Sequence, residues 1–74
     1  MKEIEIQLVL INDFGEFRGK KAILNEEQYK NVLKMAKEFH MNSGFELTLE
    51  DGTFVIFPAD VVQKSILKVT NKII

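Results

Sequence analysis

The stretch Phe45-Glu46-Leu47-Thr48-Leu49-Glu50-Asp51-Gly52-Thr53-Phe54-Val55-Ile56-Phe57 carries the clearest local signal in the chain. Two runs rich in apolar residues flank an Asp-Gly pair, the strongest short-range mark of a β-hairpin. With Asp51 and Gly52 as a two-residue loop, Glu50 faces Thr53, Leu49 faces Phe54 and Leu47 faces Ile56. The apolar pairs then share one face, so turn and pattern agree on that register. In this register Val55 and Phe57 fall on the opposite face.

Working outward, residues Glu3 to Ile11 alternate. Ile4, Ile6, Leu8 and Leu10 share one face, and Glu3, Glu5 and Gln7 the other, the pattern of a half-buried strand. The outer face turns apolar at Val9 and Ile11. Asn12-Asp13-Phe14-Gly15 is a turn by composition. Phe17 to Ile23 reads as the returning strand, with Gly19 marking a bulge.

A helix follows. Asn25 is a good N-cap and Gln28 stands three residues on, as in a capping box. Glu26 and Glu27 fall where the helix dipole favours negative charge. Tyr29, Val32, Leu33, Ala36 and Phe39 form one apolar stripe. Asn42-Ser43-Gly44 is expected to end the helix, with Asn42 or Gly44 in the left-handed conformation. Beyond the Asp-Gly hairpin, Pro58 stops the ladder because it donates no hydrogen bond. Asp60 to Gln63 reads as a short turn capped by Asp60, Ser65 to Thr70 as a last strand, and Asn71 to Ile74 as a tail.

The expected fold is α+β: an antiparallel sheet of four to five strands with one helix packed on one face, in the order β-β-α-β-β-turn-β. The expected core is Ile4, Ile6, Leu8, Leu10, Tyr29, Val32, Leu33, Ala36, Phe39, Leu47, Leu49, Phe54, Ile56, Leu67 and Val69. Seventy-four residues allow a single domain, 1–74, whose own core stabilises it only marginally. There is no cysteine, hence no disulfide and no zinc site of the cysteine-rich kind. The apolar share of 46% and the 28% of charged residues are those of a folded chain. The N-terminus has no apolar run of signal-peptide length, and Leu8-Val9-Leu10-Ile11 is far too short to span a bilayer. A soluble, cytoplasmic protein is expected.

Catalysis is not expected. His40 is the only histidine, Ser43 and Ser65 are the only serines, and no nucleophile elbow, phosphate loop, dinucleotide fingerprint or zinc-protease motif occurs. His40 near a helix end is expected to sit in solvent beside the dipole. Glu46 and Glu50 read as a solvated strand face, while Asp51 and Asp60 have turn and cap roles. No catalytic, cofactor-binding or metal-binding residue is assigned.

Two features carry binding chemistry. Arg18-Gly19-Lys20-Lys21 is the densest positive cluster, extendable by Lys30, Lys34 and Lys37. Arg18, Lys20 and Lys21 are the candidate phosphate or nucleic-acid contacts, with Phe14 and Phe17 placed to stack on bases. The structural alternative is an edge strand blunted by charge. The net charge of −1 does not favour polyanions. The second feature is apolar surface in excess of one core: Val9, Ile11, Val55 and Phe57 occupy the second faces of their strands. Either the sheet curls into a small barrel, or a partner covers that face. The partner reading makes Val9, Ile11, Val55 and Phe57 a protein interface, with a second copy in a homodimer as the commonest occupant.

Asp51-Gly52-Thr53-Phe54-Val55-Ile56-Phe57-Pro58, then Val61-Val62 and Ser65-Ile66-Leu67-Lys68-Val69, resembles a pattern in small uncharacterised proteins of phages and prophages in low-GC Gram-positive bacteria. The resemblance covers roughly the last third of the chain and includes no catalytic motif. It implies an accessory protein that binds and modulates or inhibits a host or phage protein by occupying a surface.

Overall fold

The computed structural model describes residues 2–74. The fold is α+β, as the pattern of elements predicts. Strand β1 (Ile4–Asn12) is its spine. On one side β1 pairs antiparallel with β2 (Gly15–Arg18) and β3 (Ala22–Leu24), two halves of the returning strand. On the other side it pairs along most of its length with β6 (Ile66–Ile73), from Ile4↔Ile73 to Ile11↔Ile66. The expected tail is therefore mostly strand, and the Ile74 amide still donates to the Glu3 carbonyl.

Helix α1 (Glu26–Lys37) starts where its capping chemistry requires. The Gln28 amide donates to Asn25 Oδ1 at 2.8 Å, and the Asn25 amide to Gln28 Oε1 at 3.0 Å. Each bond satisfies a backbone donor that the first turn leaves without a partner. The other end departs from expectation. The helix stops at Lys37 with Glu38 as C-cap, and a 3-10 turn over Phe39–Met41 follows. Neither Asn42 nor Gly44 takes a left-handed conformation.

The hairpin is β4 (Gly44–Thr48) with β5 (Phe54–Pro58), and short helix α2 (Ala59–Gln63) leads from it back to β6. Asp60 lies in the first turn of α2, but the N-cap is Pro58. The hairpin joins the larger sheet at the bulge between β2 and β3. Gly19 bridges Leu49, the Lys20 amide donates to the Thr48 carbonyl, and the Glu50 amide donates to the Arg18 carbonyl. A Cβ on Gly19 would lie 2.8 Å from Leu47 Cδ1 and 3.0 Å from the Leu8 carbonyl oxygen. Only glycine allows the strands this close.

Folding the hairpin onto the sheet builds the core. Leu10, Phe39, Leu47, Phe57 and Val62 form its fully covered centre. The Phe57 ring meets Phe17 edge-on at 5.1 Å, and Phe39 meets Phe45 at 5.0 Å, the preferred geometry of aromatic pairs. Ile4 and Ile6 are buried towards the other end of β1. Helix α1 packs there, against β3 and β6, and its stripe residues Tyr29, Val32, Leu33 and Ala36 are only half-buried. Two residues assigned to the core, Phe54 and Ile56, are exposed.

Candidate interaction surface

The placement of Phe54 and Ile56 follows from the hairpin loop. The Gly52 amide donates to the Leu49 carbonyl at 2.9 Å, and the Leu49 amide donates to the Thr53 carbonyl at 2.7 Å. Gly52 has φ +90°. This is a three-residue loop, a tight turn closed by a positive-φ glycine in a bulge, rather than the expected two-residue loop. The pairs become Thr48↔Phe54, Leu47↔Val55, Glu46↔Ile56 and Phe45↔Phe57. The register differs by one residue from the sequence expectation, which exchanges the two faces of β5. Strand β4 keeps Leu47 inside in both registers. On β5, Val55 and Phe57 now face the core, while Phe54 and Ile56 face outward beside Thr48 and Glu46.

Asp51 stabilises the longer loop. Its Oδ1 accepts the Thr53 amide at 2.9 Å, and this backbone bond, with a contribution from the Thr53 hydroxyl, holds the carboxyl below its ordinary value. A depressed carboxyl contributes stability above its unfolded value and loses it as pH falls through the folded one. The Thr53 amide is therefore expected to exchange faster with solvent as pH drops below the usual carboxylate range, after correction for intrinsic exchange. Amide exchange by NMR checks this, and Asp51→Asn should remove the titration while keeping an acceptor.

The interface expected from the sequence is thus corrected at two positions. Phe57 is 4% exposed and Val9 is 1% exposed, so neither is available to a partner. Val9 points away from Leu10, and the ladder sets it between Arg18 and Lys68 as its cross-strand partners. Ile11 and Val55 are half-buried. The apolar side chains that do reach solvent on the hairpin are Phe54, 55% exposed, and Ile56, 68% exposed.

Both belong to a strand with an open edge. Among the described residues β5 pairs with β4 alone. The Leu49–Thr53 hydrogen bond fixes which pairs exchange backbone bonds: alternation places the polar groups of Val55 and Phe57 towards β4. The N–H and C=O groups of Phe54 and Ile56 consequently face the free edge. The strand Phe54-Val55-Ile56-Phe57-Pro58 contains no charge, and only Pro58 blunts it.

The basic segment is divided. Arg18 Nη2 lies 2.7 Å from Glu16 Oε1, and the same recess is lined by Glu50 and Asp51. Lys20 is exposed, and Lys21 lines a different recess beside Glu5 and Lys72. The three cations do not share a depression that could cradle a phosphate. Phe14 is 77% exposed and Phe17 is packed against the core.

Histidine and serine do meet, in a structural role. Ser65 is buried, donates its hydroxyl to the Val61 carbonyl at 2.7 Å and accepts from Asn12 Nδ2 at 3.2 Å. His40 is exposed, as expected, and it also makes a bond: Nε2 lies 2.8 Å from the Ser65 carbonyl oxygen, where only a nitrogen that carries a proton can bond. The His40 ring therefore binds the backbone of Ser65 and not its hydroxyl, and the network ties the 3-10 turn and α2 to β1. Among the described residues no group of three or more His, Asp or Glu side chains is arranged to hold a metal ion. No helix of the described residues is long and apolar enough to cross a membrane. No protein-family model, no curated protein and no solved structure matches the chain.

Proposed function

We propose that this chain is a small non-enzymatic protein-interaction module that docks through the outer face and open edge of β5. One observation carries the reading: Phe54 and Ile56 present exposed apolar side chains and unpaired backbone groups on the same uncharged strand. Such an edge can accept an extended segment of a partner as an added strand, with the flanking side chains supplying apolar contact. The resemblance of residues 51–69 to small phage and prophage proteins supports an accessory role, in which the chain modulates or inhibits a protein by covering part of it. A cytoplasmic site of action and self-association into a homodimer belong to the same proposal. The basic stretch is a weaker basis for function, because Arg18 is already paired with Glu16.

The test pairs two charge substitutions, Phe54→Glu and Ile56→Lys, at positions whose exposure spares the fold. Circular dichroism should show native structure in both. Retention of protein partners on the immobilised double variant should fall at least ~10-fold relative to the unmodified chain, as for the loss of apolar anchors at an interface. Equal retention by a folded double variant would exclude β5 as the docking strand.

A further inference from the structure

We infer that one occupant of the β5 edge is the β5 strand of a second copy, paired antiparallel about a two-fold axis at Val55; this rests on the docking role just proposed for β5. The backbone selects the register. Only Phe54 and Ile56 offer both N–H and C=O groups at the edge, since Pro58 has no N–H. Setting Phe54 opposite Ile56 of the second copy satisfies all of these groups, because each such pair exchanges both of its N–H···O bonds. By symmetry the pairing occurs twice, with Val55 facing its own counterpart between the two pairs. Shifting the axis to Ile56 would set Phe54 against Pro58 and forfeit a donor.

Side chains agree with the backbone. The favoured register stacks Phe54 on Ile56 on the outer face, two apolar groups now in water. No charge on β5 opposes its own copy. The other long edge behaves differently. Self-pairing of β6 about Thr70 would bring Lys68 opposite Lys72 twice, a repulsive arrangement. Charge thus opposes that register of β6, whereas no charge opposes the favoured register of β5. The joined product is a continuous sheet running from one hairpin into the other, closed by the two-fold axis and unable to propagate through β5.

A five-residue strand makes a small interface, so the dimer should be concentration-dependent. Sedimentation of the full chain should show monomer giving way to dimer as concentration rises to ~1 mM, the range of weak contacts. Ile56→Lys should remain monomeric throughout. Register is read by single cysteines in this otherwise cysteine-free chain. Facing residues of a non-hydrogen-bonded pair have Cα atoms about 4.5 Å apart, within disulfide range. Val55→Cys should therefore cross-link under mild oxidation at least ~10-fold faster than Phe54→Cys or Ile56→Cys, whose facing residues are not cysteine. A monomer at every concentration, or a dimer in which Ile56→Cys links fastest, would overturn the inference. A monomeric chain whose partner retention is still lost in the Phe54→Glu, Ile56→Lys variant would overturn the dimer and leave the docking role intact. Loss of neither property in that variant would overturn both.

Discussion

Phe57→Ala should remove about 3–5 kcal/mol of the protein's stability, whereas Ile56→Ala, one residue earlier, should leave it nearly unchanged. Phe57 lies in the covered centre of the core, opposite Phe45 and edge-on to Phe17. Truncating a buried phenylalanine costs about 3–5 kcal/mol, the sum of lost transfer energy and an unfilled cavity. A chain of this size has roughly 4–11 kcal/mol in all, at about 0.05–0.15 kcal/mol per residue. The loss is therefore a large fraction of the whole stability, enough to shift the urea midpoint well below that of the unmodified chain. Ile56 is mostly exposed, and surface truncations usually stay within about 0.5 kcal/mol. Urea unfolding of the two variants, at a concentration where the chain is monomeric, measures the difference directly. The two-residue loop makes the opposite prediction, with Ile56 inside and Phe57 outside. A destabilised Ile56→Ala beside a stable Phe57→Ala would restore that register and remove the proposed docking strand with it.

The same strand shows why the sequence discloses one face of the hairpin and hides the other. In β4, Glu46 and Thr48 separate Phe45, Leu47 and Leu49, so alternation selects the inner side without help from the loop. In β5, residues 54 to 57 are all apolar, and either register buries a plausible pair. The choice falls to backbone bonds that composition does not reveal: Asp51 to the Thr53 amide, and Glu50 to the Arg18 carbonyl. Val9 lies on the outer face that alternation assigns, yet it is buried. Cross-strand arginine and lysine stems can shield a residue there. Val62 is fully buried from a five-residue helix, too short to display a helical period. The capping box of α1, by contrast, is legible because it is local: Asn25 and Gln28 satisfy each other's backbone whatever the tertiary fold. The α1 stripe is legible as a stripe. That it covers only one end of β1, while the hairpin, Phe39 and α2 cover the other, depends on how the chain crosses at Gly19.

Gly19→Ala should destabilise the protein by about 1–3 kcal/mol, the usual cost of forcing atoms into a filled site. The added methyl would approach Leu47 Cδ1 to 2.8 Å and the Leu8 carbonyl oxygen to 3.0 Å. Leu47 is held in the core and cannot simply swing away, and the carbonyl is itself bonded to the Gly19 amide at 2.8 Å. Gly19 also accepts the buried side-chain amide of Gln7 at 2.9 Å, so displacing its backbone strains a second bond. Shortening Leu47 should relieve part of the clash. The double variant Gly19→Ala, Leu47→Ala should therefore be more stable than the sum of the two single losses predicts, the mark of two groups competing for one space. Additive losses would mean that the methyl does not compete with Leu47 for space and that its cost falls on the backbone at Leu8. The measurement bears on function as well as stability, because the crossing at Gly19 is where the hairpin is bonded to the larger sheet. A chain loosened there could keep α1, β1 and β6 together while β5 lost the fixed orientation that sets Phe54 and Ile56 outward. Amide exchange should then rise first at Lys20 and Glu50, whose amides donate across the crossing, ahead of the β1 amides paired with β6, and partner retention should fall in step with the hairpin rather than with global unfolding.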